Sequence, residues 1–263
     1  MQVATIVPRA NLSLVENDLY HLCLIQALKE YDDYFTFYKR MADEQKFVIL
    51  DNGAAEGKTS TAAELAAYAN MIGASEVQLP DVFFDTVQTL KKSEKALKAF
   101  DDYGYTGKIM GIPQGGTFED WTICALEMAS WDKVTTLGLP KNLVHTLGPY
   151  GRREAMDILI DEGVVPGIEI HLLGCWTSPR EVGHLYRLYR RYIRGVDSGI
   201  ATIYAQAGHK LETEFIPKPK RIVDFNTPCD EALLKRNIGW WRDACYDRVP
   251  NMPISQLSQD SCS

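Results

Sequence analysis

Strand-like apolar runs alternate with helical patterns along almost the whole chain, and this alternation restricts the fold more than any other feature. Seven short runs have the length and composition of buried strands: residues 3–8, 47–51, 76–81, 108–113, 133–139, 167–173 and 193–197. Apolar residues at helical spacing predict helices over residues 14–31, 61–72, 84–103, 118–130, 152–162, 179–192 and 231–247. Repeated strand–helix units of this kind predict a parallel sheet covered by helices.

A closed version of such a sheet requires an eighth strand, which we expect at residues 221–225. The first strand is not followed by the glycine-rich loop of a dinucleotide-binding sheet, which argues against a doubly wound fold. The 263 residues suit one barrel, and no linker or internal repeat divides them. We therefore predict an α/β fold, a (β/α)8 TIM-like barrel, as a single domain over residues 1–250 with a flexible C-terminal tail at 251–263.

The composition excludes several classes of protein. The chain is 46% hydrophobic and 24% charged, with a net charge of −7, as in ordinary globular proteins and unlike disordered ones. No apolar run is long enough to span a membrane, and the first residues lack the pattern of a secretory signal. We therefore expect a cytoplasmic protein without a membrane partner. A homodimer is compatible with the sequence.

The cysteines do not form a metal-binding pattern. Six are scattered along the chain without a CxxC pair: Cys23, Cys124, Cys175, Cys229, Cys245 and Cys262. Zinc sites and disulfide frameworks have characteristic spacings and contexts that this chain lacks. The sequence therefore predicts buried thiols, no metal site and no cofactor.

Polar residues follow most of the predicted strands. In (β/α)8 barrels the active site lies at the C-terminal ends of the strands, so these residues should meet at one mouth. Each also has a structural alternative: a turn at Asp51, a helix N-cap at Asp81 or Asp197, a buried core position for His171. The segments are Asp51-Asn52-Gly53, Pro80-Asp81, Pro113-Gln114-Gly115-Gly116, His171-Leu172-Leu173-Gly174 and Asp197-Ser198-Gly199.

Taken in order, these segments resemble motifs of the guanine transglycosylases, enzymes that exchange a nucleobase for a 7-deazaguanine. The resemblance covers residues 47–208. Six segments carry it: Leu50-Asp51-Asn52-Gly53 is similar to the family's Asp-Ser-Gly-Gly, Pro80-Asp81-Val82 to its substrate-reading Asp segment, Ile112-Pro113-Gln114-Gly115-Gly116 to its Val-Gln-Gly-Gly loop, Leu137-Gly138-Leu139-Pro140 to its Gly-Gly-Leu stretch, His171-Leu172-Leu173-Gly174 to its Tyr-Leu-Met-Gly, and Gly195-Val196-Asp197-Ser198 to its nucleophile segment.

The resemblance implies a role for each residue. Asp197 would be the nucleophile that attacks C1′, and Asp51 the general acid and base. Asp81 would accept hydrogen bonds from N1–H and the exocyclic amine of a guanine-like base. The remaining base-binding residues would be Gln114, Gly115 and Gly116, which donate to O6, together with Leu173 and Gly174. The expected partners are guanine sites in DNA and a free 7-deazaguanine base such as a cyano- or aminomethyl-deazaguanine.

The chain lacks two elements of the tRNA-modifying members of that family, a Cys/His zinc site and an appended RNA-binding domain. It most resembles the compact, zinc-less phage and bacterial enzymes that modify DNA. We therefore expect exchange of guanine in DNA through a covalent Asp–deoxyribose intermediate. Three alternatives stay open: the same exchange on tRNA, a barrel lyase or aldolase unrelated to nucleobases, and a non-catalytic nucleic-acid-binding protein. No strand-end Lys of the kind that forms a Schiff base is evident.

The net charge hides an uneven distribution. Residues 180–221 contain nine basic and four acidic residues, so this segment is +5 and the remainder −12. Arg187, Arg190, Arg191 and Arg194 fall at helical spacing and predict a basic helix face. We predict nucleic-acid contacts for four residues of this part of the chain: Lys210, Lys218, Lys220 and Arg221.

Overall fold

Eight parallel strands form one sheet. The computed structural model describes residues 1–54, 57, 60–175, 179–212 and 222–249. The strands are hydrogen-bonded in the order β1-β8-β7-β6-β5-β4-β3-β2, and the end strands β1 and β2 contact each other, so the sheet nearly closes. The predicted (β/α)8 TIM-like barrel is therefore confirmed. Its strands are β1 (Gln2–Thr5), β2 (Tyr20–Leu24), β3 (Phe47–Asp51), β4 (Glu76–Gln78), β5 (Lys108–Gly111), β6 (Val134–Pro140), β7 (Glu169–Leu173) and β8 (Ile193–Ser198).

Helices cover the outside of the sheet, and their ends carry recognisable signals. Helix α3, for example, begins with a reciprocal capping box between Thr61 and Glu64 and ends at Gly73, whose φ of +70° is the left-handed value that glycine adopts readily. The helices are α1 (Ile25–Glu30), α2 (Asp32–Asp43), α3 (Ala62–Ile72), α4 (Thr86–Asp102), α5 (Phe118–Ala129), α6 (Gly151–Asp161), α7 (Pro179–Tyr189), α8 (Ile200–Gln206) and α9 (Glu231–Cys245). Short 3-10 helices span Arg9–Leu14 and Lys141–His145.

The eighth strand was predicted in the wrong place. Residues 222–225 form no strand, and Arg221 lies outside the described residues. The missing strand is β2, which pairs along its full length with β3, from Tyr20 opposite Phe47 to Leu24 opposite Asp51. It lies inside the segment 14–31, which was predicted to be a helix. All five residues of β2 are buried, and a strand buried on both faces has no alternating pattern to distinguish it from part of a helix.

The basic helix face was also predicted wrongly, because α7 ends at Tyr189 and the chain then turns into β8. Arg190 and Arg191 lie in that turn. Arg194 belongs to the strand, and its side chain is only 12% exposed because it reaches into the barrel. The four arginines therefore have helical spacing in the sequence, but they do not share one helix, because the helix ends after the first of them.

Two groups of buried side chains stabilise the fold. The larger packs between the sheet and the helices, and a smaller cluster of Ala4, Tyr20, Leu22, Ile49 and Met110 fills the inside of the barrel. Alternate residues of a strand face opposite sides of the sheet, so Asp51 follows Ile49 on the inner face and arrives at the mouth.

The described cysteines are buried, and none of them is in a disulfide, as predicted: Cys23, Cys124, Cys175, Cys229 and Cys245. Cys262 and the predicted tail at 251–263 lie outside the described residues. Among the helices that the structure describes, none combines the length and apolar character needed to cross a membrane.

Candidate active site

A cavity of about 350 Å³ opens where the C-terminal ends of the strands converge. This volume lies within the range of small-molecule sites. Three carboxylates line it, Asp51 from β3, Asp81 after β4 and Asp197 from β8. Leu173 and Gly174, at the end of β7, line it as well. The structure therefore brings five of the predicted site residues to one cavity.

Asp81 is held by two amide side chains. Asn52 Nδ2 donates to Asp81 Oδ1 at 2.9 Å, and Gln114 Nε2 donates to Asp81 Oδ2 at 2.6 Å. Asn52 is itself fixed, because Nδ2 also donates to the Leu79 carbonyl and Oδ1 accepts from the Ala54 amide. Each Asp81 oxygen accepts a hydrogen bond and retains lone-pair capacity for a further donor.

The environment of Asp81 shifts its titration. Burial raises the pKa of its carboxyl to about 6, although the hydrogen bonds from Asn52 and Gln114 lower it. Asp81 does not cap the following helix, since it is Asp85 that accepts from the Gln88 amide at the start of α4. The Asp81 carboxylate is therefore a buried acceptor at the mouth of the barrel, and the helix-cap alternative belongs to Asp85.

The Gln114-Gly115-Gly116 segment contacts Asp81 from the side away from the cavity. Gln114 is buried and is not among the described residues that line the cavity; it acts on the site through Asp81. A Cβ at Gly115 would lie 2.3 Å from the Trp121 amide nitrogen of α5, so only glycine fits this close approach. A Cβ at Gly116 would lie 3.3 Å from the Phe84 carbonyl oxygen. The two glycines thus let the β5–α5 loop pack tightly beside Asp81.

Asp51 stabilises a turn, as the structural alternative proposed, and it also lines the cavity. Its Oδ1 accepts from the Gly53 amide at 2.6 Å, and Gly53 has a φ of +81°, as expected for a turn stabilised by an aspartate. The same side chain lines the cavity. The turn therefore fixes the carboxylate in position at the end of β3.

Asp197 is oriented from inside the barrel. Its Oδ1 lies 3.0 Å from Nε2 of His171, which is fully buried on the adjacent strand β7. At the start of α8 it is Ser198 Oγ that accepts from the Ile200 amide. Asp197 is 6% exposed as a whole residue, and its side chain lines the cavity.

The sequence analysis missed three polar residues that line the cavity, Gln78, Lys141 and Asn142. Gln78 of β4 is buried, and its Nε2 donor has no hydrogen-bond partner; Asn142 Oδ1 is a buried acceptor without one. Buried polar atoms in proteins are nearly always paired, so such atoms at a cavity are suited to a polar ligand. Lys141, the one cation among the described lining residues, packs against Gly174. The polar residues Glu76 and Gln78, at alternate positions of one strand, were a detectable signal.

The cavity has one apolar side. Seven residues from the ends of β1 and β2, from α8 and from the segment 222–225 contribute to it: Ile6, Leu24, Ile200, Ile203, Ile222, Val223 and Phe225. Phe83, which is 45% exposed, lines the cavity on the Asp81 side. A flat ring could therefore contact an aromatic face near Asp81, while the space beside Asp197 is bounded by aliphatic groups.

The predicted nucleic-acid contacts are only partly within the described chain. Lys210 is exposed and lies after α8, whereas Lys218, Lys220 and Arg221 lie outside the described residues. Across the part of the chain that the structure describes, no three His, Cys, Asp or Glu side chains are grouped as metal ligands.

The sequence matches no protein-family model, and no curated protein shows a significant match to it. The fold and the site therefore define a (β/α)8 barrel with three carboxylates in a cavity at its mouth.

Proposed function

We propose that this protein exchanges guanine in DNA for a 7-deazaguanine through a covalent intermediate on Asp197. The observation that carries the proposal is the presence of three carboxylates with different surroundings in one cavity: Asp81 held by two amides, Asp51 in a turn, and Asp197 hydrogen-bonded to His171. Base exchange needs an acceptor for the base edge, an acid–base group and a nucleophile, and the three surroundings suit these three tasks.

Base recognition would centre on Asp81. The N1–H and exocyclic amine of a guanine-like base are adjacent donors, which fit the remaining capacity of a carboxylate already held by Asn52 and Gln114. Adenine has no N1–H, so it offers only its exocyclic amine and would leave part of the remaining acceptor capacity of the buried Asp81 carboxylate unfilled, which disfavours it. The Nε2 donor of Gln78, which has no hydrogen-bond partner, can donate to an acceptor atom of the guanine-like ring.

The reaction would proceed in two displacements at C1′. Asp197 attacks C1′ as the bond to N9 of guanine breaks, while protonated Asp51 delivers a proton to the departing N9. The incoming deazaguanine then loses its N9 proton to Asp51 and attacks C1′, which releases the Asp197 carboxylate. Both aspartates return to their starting states, and the configuration at C1′ is retained.

The apolar side of the cavity favours deoxyribose as the sugar. Ile6 and Leu24, from the strands on the β1 side of Asp197, offer no hydrogen-bonding side chain to a ribose 2′-hydroxyl. A hydroxyl buried against such a surface would lose its hydration without replacement. The target nucleotide must leave the base stack to reach the cavity, so the proposal also requires base flipping or a single-stranded substrate.

Labelled-guanine exchange tests the proposed function and its tRNA alternative together. Duplex DNA, single-stranded DNA and tRNA, each carrying labelled guanine, would be incubated separately with cyano- or aminomethyl-deazaguanine. We expect release of more than one labelled guanine per protein molecule from DNA only when a deazaguanine is present, because without it the reaction stops at the covalent intermediate. Release from tRNA and not DNA would establish the alternative substrate. Absence of release from every nucleic acid would refute base exchange.

Charge reversal tests the predicted phosphate contacts of Lys218 and Lys220. We expect Lys218→Glu with Lys220→Glu to weaken DNA binding. The slope of log affinity against log salt concentration should become smaller in magnitude by about one to two, since each phosphate contact contributes about 0.9 to it. Lys98→Glu with Lys133→Glu is the charge-matched control, because both lysines are exposed near the end of the barrel that lies away from the cavity. Equal slopes for the two double variants would exclude the contact.

A further inference from the structure

A line of buried polar side chains runs through the barrel beneath Asp197. We call Asp197, His171, Tyr20, Arg194 and Glu76 the interior relay. Asp197 Oδ1 lies 3.0 Å from His171 Nε2, and His171 Nδ1 lies 2.9 Å from the Tyr20 hydroxyl oxygen. Arg194 Nε donates to that hydroxyl oxygen at 3.2 Å, and Arg194 Nη1 donates to Glu76 Oε1 at 3.0 Å. The relay therefore links the mouth of the barrel to its far end.

The arginine sets the direction of every hydrogen bond above it. A guanidinium group can only donate, so the Tyr20 oxygen accepts from Arg194. Within the described part of the chain, the other hydrogen-bond partner of this hydroxyl is His171 Nδ1, so the buried Tyr20 hydrogen is satisfied when Nδ1 accepts it. A neutral imidazole with an accepting Nδ1 carries its proton on Nε2. His171 therefore donates to Asp197 Oδ1.

The lower part of the relay holds Arg194 in place. Besides Glu76, its Nη1 donates to Glu169 Oε2 and to Thr136 Oγ1, each at 3.0 Å. Glu76 and Thr136 are fully buried, so the arginine charge is balanced inside the protein. Gly195 leaves room for the junction, since a Cβ there would lie 2.6 Å from the Tyr20 hydroxyl oxygen.

Tyr20 keeps its hydrogen under ordinary conditions. Burial raises the pKa of its hydroxyl well above the usual range, and the neighbouring Arg194 lowers it by less. The charged and titratable groups that face His171 and Tyr20 are Asp197, Arg194 and Glu76. A donor at Tyr20 and a neutral acceptor at His171 Nδ1 are therefore mutually consistent.

We propose that Tyr20 and Arg194 are positioning residues that keep Nδ1 of His171 as an acceptor and its proton on Nε2, so that His171 orients Asp197 as a nucleophile. The inference rests on the proposed function for its catalytic consequence, whereas the protonation pattern of His171 stands independently. With Oδ1 engaged by His171, Oδ2 of Asp197 is the oxygen that attacks C1′. The same Nε2–H stabilises the carboxylate when the second displacement releases it.

The Tyr20→Phe variant tests the relay. It removes only the hydroxyl and keeps the ring that stacks on Phe47, with centroids 5.2 Å apart. We expect the kcat of exchange to fall by about 10- to 100-fold with little change in KM for the free base, because the base-binding residues are untouched. Tyr105→Phe is the matched control, since its hydroxyl donates to the backbone carbonyls of Ala74 and Lys108 and not to a side chain of the relay. A simultaneous, equal loss in both variants would indicate a general packing effect and overturn the proposal.

Nitrogen-15 NMR of the histidine side chains provides a readout that does not depend on activity. The His171 signals are assigned by their loss in His171→Gln. In the wild type we expect an unprotonated Nδ1 and a protonated Nε2 near neutral pH, and in Tyr20→Phe a mixture of tautomers or a doubly protonated ring. A wild-type His171 protonated on Nδ1, or a pattern and kcat unchanged by Tyr20→Phe, would overturn the relay. The expected NMR pattern in a wild-type protein that releases no labelled guanine would support the relay and refute the exchange function.

Discussion

Asp197→Asn should lower the rate of base exchange by at least about 10⁴-fold while leaving the protein folded. An amide is a very poor nucleophile, and removal of a covalent catalyst from an enzyme typically costs losses of this size. The asparagine oxygen can still accept from His171 Nε2, so no buried donor is left unpaired. Alanine would leave the buried His171 without that partner and would confuse loss of chemistry with loss of stability.

The covalent intermediate separates this role from binding. Wild-type protein incubated with DNA but without an incoming base should form a denaturant-resistant protein–DNA adduct, and Asp197→Asn should form none. Asp85→Asn is a matched control, because Asp85 caps α4 and asparagine is an equally good cap. It should exchange base and form adduct like the wild type. Exchange by Asp197→Asn within tenfold of the wild type would remove Asp197 from the nucleophile's position.

Much of the barrel could be predicted because parallel strands buried on both faces produce short apolar runs. The runs at 47–51 and 193–197 matched β3 and β8 to within one residue. The positions of Asp51, Asp81 and Asp197 could also be predicted, because residues at the C-terminal ends of the strands of a (β/α)8 barrel meet at one mouth. What failed was β2, where burial of all five residues removed the alternation that would have marked it.

The interior relay could not be predicted, because its contacts join residues far apart in the chain. Tyr20 and His171 are 151 positions apart, and Tyr20 and Arg194 are 174 apart. Tyr20 also lies in the missed strand, and Arg194, although inside the predicted strand 193–197, was counted as part of a basic helix face. Side-chain direction inside a barrel depends on the register between neighbouring strands, and here the pairing of β7 with β8 shifts between Ile170 and His171.

Asp81→Asn should stabilise the protein at pH 8 and impair recognition of the base. Burial raises the pKa of Asp81 from 3.8 to about 6, so the folded state binds its proton more tightly than the unfolded chain does. The resulting stabilisation is fully present below about pH 4 and is lost as the pH rises through about 6. A shift of about two pH units corresponds to about 3 kcal/mol, which is the largest gain expected for a neutral replacement at pH 8.

Asparagine fits the hydrogen bonds around position 81. Its oxygen can accept from Asn52 Nδ2, whose orientation is fixed by Leu79 and Ala54. Its amide can donate to Gln114 once the Gln114 side-chain amide rotates to present oxygen instead of nitrogen. Urea unfolding at pH 4, 6 and 8 measures the outcome: the difference in free energy of unfolding between variant and wild type should be near zero at pH 4 and largest at pH 8.

Asp81→Asn should weaken recognition of the base even though it stabilises the fold. The variant presents one acceptor oxygen where the wild type presents two, so kcat/KM for a deazaguanine should fall by about 10²- to 10³-fold, as for other sites that lose a buried hydrogen-bonding match. In the wild type, affinity for the base should decrease as the pH falls through about 6, because protonated Asp81 is a poorer acceptor; calorimetric titration across pH 5–8 measures this. A folded variant less stable than the wild type at pH 8 would contradict the raised pKa. Unchanged affinity of Asp81→Asn for the base would remove Asp81 from base recognition, whatever the outcome of the stability measurement.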